Sequence, residues 1–485
     1  MLTSALQSLW PYLLAALDFT LAVSVTLHAV LRKRNTRAVV GWVGLAWLAP
    51  FLGPFAYFVF GINRIQRKAA ALRIGVGLQP MAEPVLKEED CRIRDEIIDR
   101  QPNLEGLATL GKNVTGKFLL PGNSVELLLN GDQAYPAMLE AIENARISVS
   151  LLSYIFDFDQ VGERFLTTLK SARARGVEVR VLIDHIGSRY SKENMVERLR
   201  GEGLNATAFL VTRTPALIKY SNLRNHRKIL VADGCIGFTG GTNIRMGHWL
   251  ALNPPDPVQC AHFRLEGPVV AHLQETFALD WAFASGETLH RNEIWFPEIE
   301  RAGLVGARGI RHGPDEDFDR MTQVLLGALA TARKRVCIVS PYFIPDTSII
   351  QALNVTSMRG IRVDIVIPAK SNIAIVQWAT IAHLGQLLEK DCRVYLSAAP
   401  FDHTKLMVID GVWSLIGSTN WDARSLRLNF EFNVECYDIE LAQQLERLID
   451  VKISLSEAMT LEQIEVRPFP TKIRDGLARL ASPYL

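Results

Sequence analysis

One pattern occurs twice in this chain. His226-Arg227-Lys228, then Ile229-Leu230-Val231-Ala232 and Asp233-Gly234, leads into Gly240-Gly241-Thr242-Asn243. His403-Thr404-Lys405, then Leu406-Met407-Val408-Ile409 and Asp410-Gly411, leads into Gly417-Ser418-Thr419-Asn420. The copies stand 177 positions apart (226 to 403), and that single offset aligns His, Lys, Asp, Gly, Thr and Asn without a gap. A lone His-x-Lys says nothing, and an Asp-Gly is ordinarily just a turn. Two gapless copies, each running through a buried apolar stretch into a glycine turn, describe an internal duplication.

The flanking sequence repeats as well. Ser148–Phe156 reads as a buried strand, Glu163–Arg175 as an amphipathic helix and Val177–Asp184 as the next strand. In the second half Thr322–Arg333 reads as a helix, Arg335–Phe343 as a strand, Thr347–Ser357 as a helix and Ile361–Pro368 as a strand. Ser153-Tyr154 and Ser340-Pro341-Tyr342 end comparable strands. Strand–helix–strand order predicts an α/β fold with a parallel or mixed sheet covered by helices. The boundaries drawn from these changes of texture are 118–298 for one domain and 299–485 for the other. Residues 63–117 form a connector, charged and punctuated by Pro and Gly, with one helical pattern at Glu88–Arg100.

Residues 1–62 differ in kind. Leu9–Leu31 and Ala38–Phe60 are almost wholly apolar, and each exceeds the ~20 residues that cross a bilayer as a helix. No positive segment precedes the first run and no small-residue cleavage site follows it, so it does not read as a signal peptide. A transmembrane hairpin is expected, with Pro50 and Pro54 leaving room for a kinked or re-entrant second arm. Four basic residues in the turn (Arg32, Lys33, Arg34, Arg37) are matched by four after the second run (Arg64, Arg67, Lys68, Arg73), so charge bias assigns no orientation.

With 53 Lys+Arg against 51 Asp+Glu the formal charge is +2, which is no electrostatic footprint for nucleic acid. The six cysteines are scattered, with no CxxC and no zinc spacing, so no metal site is expected. On an extended chain each His sits beside the Lys two positions on. Brought together about a pseudo-twofold axis, His226, Lys228 and Asn243 with His403, Lys405 and Asn420 would form a pocket suited to an anion the size of a phosphodiester. Imidazole is the side chain able to attack phosphorus or carry a proton near pH 7.

These residues resemble the phospholipase D superfamily, whose signature is His-x-Lys, four further residues and then Asp, present twice. The resemblance covers Phe118 to the C-terminus. The apolar N-terminus, with GWVGLAWLAPFLGPFAYFVFG, is similar to the bacterial cardiolipin synthases. So are His262–Val270 (HFRLEGPVV), Asp280–Glu287 (DWAFASGE), Pro341–Asp346 (PYFIPD) and Asn420–Glu435 (NWDARSLRLNFEFNVE). It implies two phospholipase D-like α/β/α sandwich domains related by a pseudo-twofold axis, preceded by a transmembrane helical hairpin. It also implies a multi-pass protein of the bacterial cell (inner) membrane that transfers a phosphatidyl group from one phosphatidylglycerol to another, releasing glycerol. No cofactor and no metal are implied, and the partners are the lipid and its bilayer, not nucleic acid.

The residues carried over are His226 as nucleophile, His403 as acid/base, Lys228 and Lys405 as charge stabilisers, and Asp233, Asp410, Asn243 and Asn420 as the remaining motif positions. Glu431, 28 positions after His403, fits the carboxylate that orients that histidine. Relatives carry Asp where this chain has Cys260, which leaves His226 without the partner expected there. Gln259 or another group orients His226, or the two histidines have exchanged roles, or activity is reduced. Two rivals stand beside a synthase: another enzyme of the superfamily (a nuclease, a hydrolytic phospholipase D or a phosphatidylserine synthase), and a lipid-binding scaffold. Hydrolysis against transfer depends on whether water or a lipid alcohol reaches the phosphoenzyme, and no motif reports that.

Overall fold

The computed structural model describes residues 2–33, 36–61, 88–99, 101–190, 193–211, 223–290, 292–314, 319–482 and 485. Arg64, Arg67, Lys68 and Arg73, on which the charge comparison depends, lie outside these residues.

The N-terminal unit is helical. Its first helix runs Leu2–Arg32, and the part from Leu9 to Arg32 is long and apolar enough to cross a membrane. Among the described residues no other helix is, so they hold one candidate span where a pair was expected. The second run forms a helix of only 13 residues, Thr36–Leu48, roughly 20 Å long against a hydrocarbon core of ~30 Å. Pro50 lacks the amide and has the ring that end a helix. Phe51 then turns through φ 56°, and five-residue pieces follow at Leu52–Ala56 and, as a π-helix, Tyr57–Gly61. Such a break exposes backbone groups that lipid cannot satisfy. Asp18, the lone carboxylate of the first run, accepts a hydrogen bond from Phe51 N at 2.7 Å. His28 Nδ1 and the Tyr57 hydroxyl lie 2.7 Å apart, and Trp47 Nε1 donates to Thr26 Oγ1 at 3.0 Å. The polar residues of the apolar runs thus hold a broken segment together.

Among the described residues the second unit carries a sheet of 16 strands, 15 along one path and Arg224–Asn225 off it. From one edge its order is Asn205–Phe209, Glu178–Asp184, Ser148–Ser153, Ile229–Ala232, Ile236–Gly240, Ala261–Glu266 and Leu120–Leu129. The same sequence of strands then returns in reverse: Val305–His312, Asn429–Tyr437, Trp413–Gly417, Leu406–Ile409, Arg335–Val339, Arg362–Pro368 and Arg393–Ser397, with Ser456–Met459 added at the edge. Leu120–Leu129 and Val305–His312 pair antiparallel at the centre, so the duplicated halves share one sheet across a pseudo-twofold axis. Three successive strands toward the outside of each half are parallel, Ser456–Met459 and the inner strands pair antiparallel, and the sheet is mixed as expected.

Helices Asn130–Asn144 and Gln160–Ala174 bury one face of the first half, and Arg320–Thr331 and Thr347–Met358 that of the second. Val270–Ser285 and Ile439–Ser454 share a core on the other face, with residues of both halves in a single cluster. Within the region read as connector, Glu88–Asp99 and Glu105–Thr115 are helical, and Leu104, Leu107 and Ala108 are buried against Met321, Val324 and Leu325. Strand Arg335–Phe343 is interrupted: Ser340 Oγ turns back onto Tyr342 O at 2.7 Å, as Ser153 Oγ does onto Ile155 O at 2.6 Å.

Candidate active site

The two motifs meet where each half reaches into the other. Arg224–Asn225, just before His226, pairs parallel with Asn429–Phe430 of the second half. Phe401–Asp402, just before His403, pairs parallel with Val258–Gln259 of the first. His226 N donates to Phe430 O at 2.9 Å and His403 N to Gln259 O at 2.7 Å. Each histidine is therefore anchored on a strand of the opposite half, and Glu431 and Cys260 occupy equivalent places one residue beyond these contacts.

This crossing overturns the expected carboxylate pairing. Glu431 partners His226, with His226 Nδ1 at 3.0 and 3.1 Å from its two oxygens. Ser418 Oγ donates to Glu431 at 2.5 Å and Asn429 Nδ2 at 3.1 Å, so the carboxylate is fixed from three sides. Cys260 faces the other histidine: its Sγ lies 3.4 Å from His403 O, and His403 Nδ1 donates to Gly241 O at 2.9 Å. Spacing within one half suggested the reverse, because sequence distance does not show that the strands cross. Gly241 has no room for a side chain, since a Cβ would stand 2.5 Å from Cys260 Sγ and 2.7 Å from His403 O.

With each Nδ1 engaged by an acceptor, both rings present Nε2 to the pocket. The ring centroids are 6.3 Å apart and nearly perpendicular. Lys228 Nζ donates to His226 O at 2.7 Å and Lys405 Nζ to His403 O at 2.8 Å, so each ammonium is held beside its own histidine. Asn243 and Asn420 are buried; Asn243 Oδ1 accepts from Ile155 N and Asn420 Nδ2 donates to Ser425 Oγ.

Asp233 and Asp410 are elsewhere. Each sits at φ near +50° at the far end of its motif strand, accepting backbone amides: Arg146, Ile147 and Ser148 for Asp233, and Arg333, Lys334 and Arg335 for Asp410. Their geometry ties the motif strand to the start of its neighbour.

Tyr154, Ser418, Arg227 and His248 were missed as site residues. Tyr154 stacks edge-on to His226 at 4.9 Å and lies 5.3 Å under Lys228 Nζ. Arg227, between His226 and Lys228, is buried and forked onto Asp280 at 2.5 Å while its Nε donates to Glu431 O. The stretch containing Asp280 was visible, but nothing in the sequence linked it to position 227. The His248 ring lies 6.1 Å from that of His403, and its Nδ1 is buried without a hydrogen-bond partner.

The pocket gathers cations out of water. Burial, opposed by Glu431 and reinforced by Lys405, brings Lys228 down to about 7, and burial brings Lys405 down to about 8. Burial also lowers His226 to about 4 against the pull of Glu431, and His403 well below the usual imidazole range with the two lysines adding to the effect. Burial alone would raise Glu431; His226, Lys228 and Ser418 outweigh it, and the carboxyl lies below its ordinary value. Cations that burial drives to give up their protons regain them when an anion enters, so the site favours one. Among the described residues no three His, Cys, Asp or Glu side chains are grouped to hold a metal ion.

Comparison with known proteins agrees with this arrangement. Residues 138–281 and 325–452 match the family described as "Cardiolipin synthase, PLD-like domain", and residues 16–61 match "Phospholipase_D-nuclease N-terminal". The chain is 31% identical over 490 residues to the cardiolipin synthase of Oceanobacillus iheyensis, covering 98% of this chain and 99% of the relative. It is 30% identical over 481 residues to the major cardiolipin synthase ClsA of Bacillus subtilis, with the same coverage of each. The crystal structure of a phosphatidylserine synthase from Haemophilus influenzae Rd KW20 superposes with a TM-score of 0.61 at 14% identity, covering 79% of this chain and all of that one, which shows the fold. A duplicated His-Lys pocket on a shared sheet, with near full-length relatives, places this chain in the cardiolipin synthase family of phospholipase D-like, membrane-associated phosphatidyltransferases.

Proposed function

We propose that the chain transfers a phosphatidyl group from one phosphatidylglycerol to another through a phosphohistidine on His226, at the bacterial inner membrane. The observation that carries this reading is the unequal anchoring of the two histidines. His226 has a carboxylate on Nδ1 and His403 a neutral carbonyl. A carboxylate stabilises the positive charge that a ring acquires when its other nitrogen attacks, so His226 is the better nucleophile.

In the first step His226 Nε2 forms a bond to phosphorus while the bond to the glycerol oxygen breaks, and His403, protonated in the substrate complex, gives that oxygen its proton. In the second, His403 takes the proton from a glycerol hydroxyl of another phosphatidylglycerol. The freed oxygen attacks phosphorus, and the bond to His226 Nε2 breaks. Lys228 and Lys405 neutralise the non-bridging oxygens throughout. The incoming phosphodiester supplies the negative charge the pocket lacks, which restores protons to the lysines and to His403. One phosphodiester replaces another of similar energy, so no activated nucleotide lipid is required.

Purified full-length protein in vesicles of phosphatidylglycerol tests the reading. Cardiolipin and glycerol should appear in equal amounts without a cytidine-activated lipid, and enzyme denatured at alkaline pH should carry phosphorus label on His226. Phosphatidate as the sole product would make the protein a hydrolase, and no turnover would leave it a lipid-binding scaffold.

A further inference from the structure

The geometry points to the C-terminal helix, Phe469–Leu480, as an interfacial docking helix that lays the wall of the catalytic pocket against the bilayer surface. This inference rests on the reading of the protein as an enzyme acting on a membrane lipid.

Phe469, Ile473, Leu477 and Leu480 recur at helical spacing on one stripe, and they are 74%, 47%, 62% and 73% exposed. The opposite face of the helix is packed. Asp475 and Ala478 are buried, Asp475 is ion-paired with Arg467 and Arg474, and Ala478 joins a small core with Ile344, Val376, Ala379, Tyr342 and Trp378. The helix is therefore firmly seated, and its apolar stripe is the side turned away from the protein. A surface stripe of this kind marks an interaction site.

Two observations identify the occupant as a lipid surface. First, Lys472 and Arg479 are exposed beside the stripe, and Arg474 is exposed with its guanidinium 4.6 Å over the Trp378 ring. Apolar side chains flanked by cations are the pattern of helices that lie in the headgroup boundary of an anionic membrane. Second, the helix is one layer from the chemistry: the core it shares includes Tyr342, whose ring is 6.3 Å from that of His403. A stripe roughly 18 Å long and one helix wide is small beside the ~800 Å² per partner of a stable protein interface. It is enough for shallow insertion of four side chains.

The test uses the full chain in vesicles of phosphatidylglycerol and phosphatidylethanolamine. The triple change Phe469→Ser, Ile473→Ser, Leu477→Ser should lower kcat/KM on vesicle phosphatidylglycerol at least tenfold. Turnover of a short-chain phosphatidylglycerol below its micelle concentration should stay within twofold. Vesicle activity within twofold of the parent overturns the proposal, and so does an equal loss on both substrates. A second measurement does not depend on the variant's folding: a spin label on Ile473→Cys, with Cys91 and Cys235 changed to Ser. In vesicles the label should be accessible to oxygen and shielded from a water-soluble nickel complex. Nickel accessibility overturns the proposal, as does dipolar broadening between labels, which would make the stripe a contact between two copies. If the vesicles yield phosphatidate and no cardiolipin, the functional reading fails while the label still reports on docking.

Discussion

Glu431, from the second half of the chain, grips Nδ1 of His226, from the first, with both oxygens within 3.1 Å. Glu431→Gln removes the charge that favours His226 as nucleophile and lets the amide present either O or N to the ring. The expected outcome is a fall in kcat of about 10²–10⁴-fold, at least ~2.7 kcal/mol of barrier. Enzyme denatured at alkaline pH should show a matching loss of labelled His226, and whatever label His403→Ala forms, slowed by loss of the proton donor, should sit on His226.

Cys260 belongs to the environment of His403, so changes there should act through proton transfer and leave His226 as the labelled residue. Cys260→Ala should stay within about threefold of the parent (under ~1 kcal/mol), because the His403 tautomer is already fixed by Gly241 O. Cys260→Asp should place a carboxylate beside His403 and Lys405 and raise the pKa of both. Rapid-quench measurement should then show altered rates of glycerol release and acceptor deprotonation, with the label still on His226.

The pH dependence follows from the lysines. In the free enzyme Lys228 loses its proton near 7 and Lys405 near 8, so kcat/KM should decline as pH rises through that range. His226 becomes protonated only near 4, which sets the acid limb. A bound phosphodiester favours the charged lysines, so the alkaline limb of kcat should lie at higher pH than that of kcat/KM. Lys228→Ala should remove the lower alkaline step along with most activity.

Positive charge supplied by side chains makes a divalent ion unnecessary. Activity should persist in excess EDTA and should not rise on adding Mg²⁺ or Zn²⁺ to chelated enzyme. Loss to the chelator with recovery on adding metal would refute the two-lysine account.

Asp233 should affect stability and not chemistry. Asp233→Ala deletes hydrogen bonds to three backbone amides and puts Ala at φ 50°. The expected cost is about 2–4 kcal/mol, read as a lower thermal midpoint in detergent. Phosphohistidine per folded molecule should be unchanged.

The duplication was legible because both copies obey one offset, and from it came the mixed sheet, the helices covering it and the meeting of His226, Lys228, His403 and Lys405. Two things were not legible. Which carboxylate serves which histidine depends on the pairing of Arg224–Asn225 with Asn429–Phe430, a contact across more than 200 positions that leaves no local periodicity. The second apolar run looked long enough to span because hydropathy counts residues. The helix is ended by backbone chemistry at Pro50 and Phe51, and Asp18, 33 positions earlier, supplies the compensating acceptor. Asp233 and Asp410 looked catalytic because they keep step with the motif, but keeping step is equally a property of a repeated turn.

The crossed strands also bear on how such a pocket changes over time. If the two halves were separate copies of one polypeptide joined by a twofold axis, any substitution would fall on both sides at once. A single chain is free of that constraint. Positions 431 and 260 are structural equivalents, yet one holds a carboxylate and the other a thiol, and 418 and 241 hold a hydroxyl and nothing. Tandem fusion lets one symmetric cradle become a pair of unlike sites, one imidazole gripped by a carboxylate and the other by a neutral carbonyl.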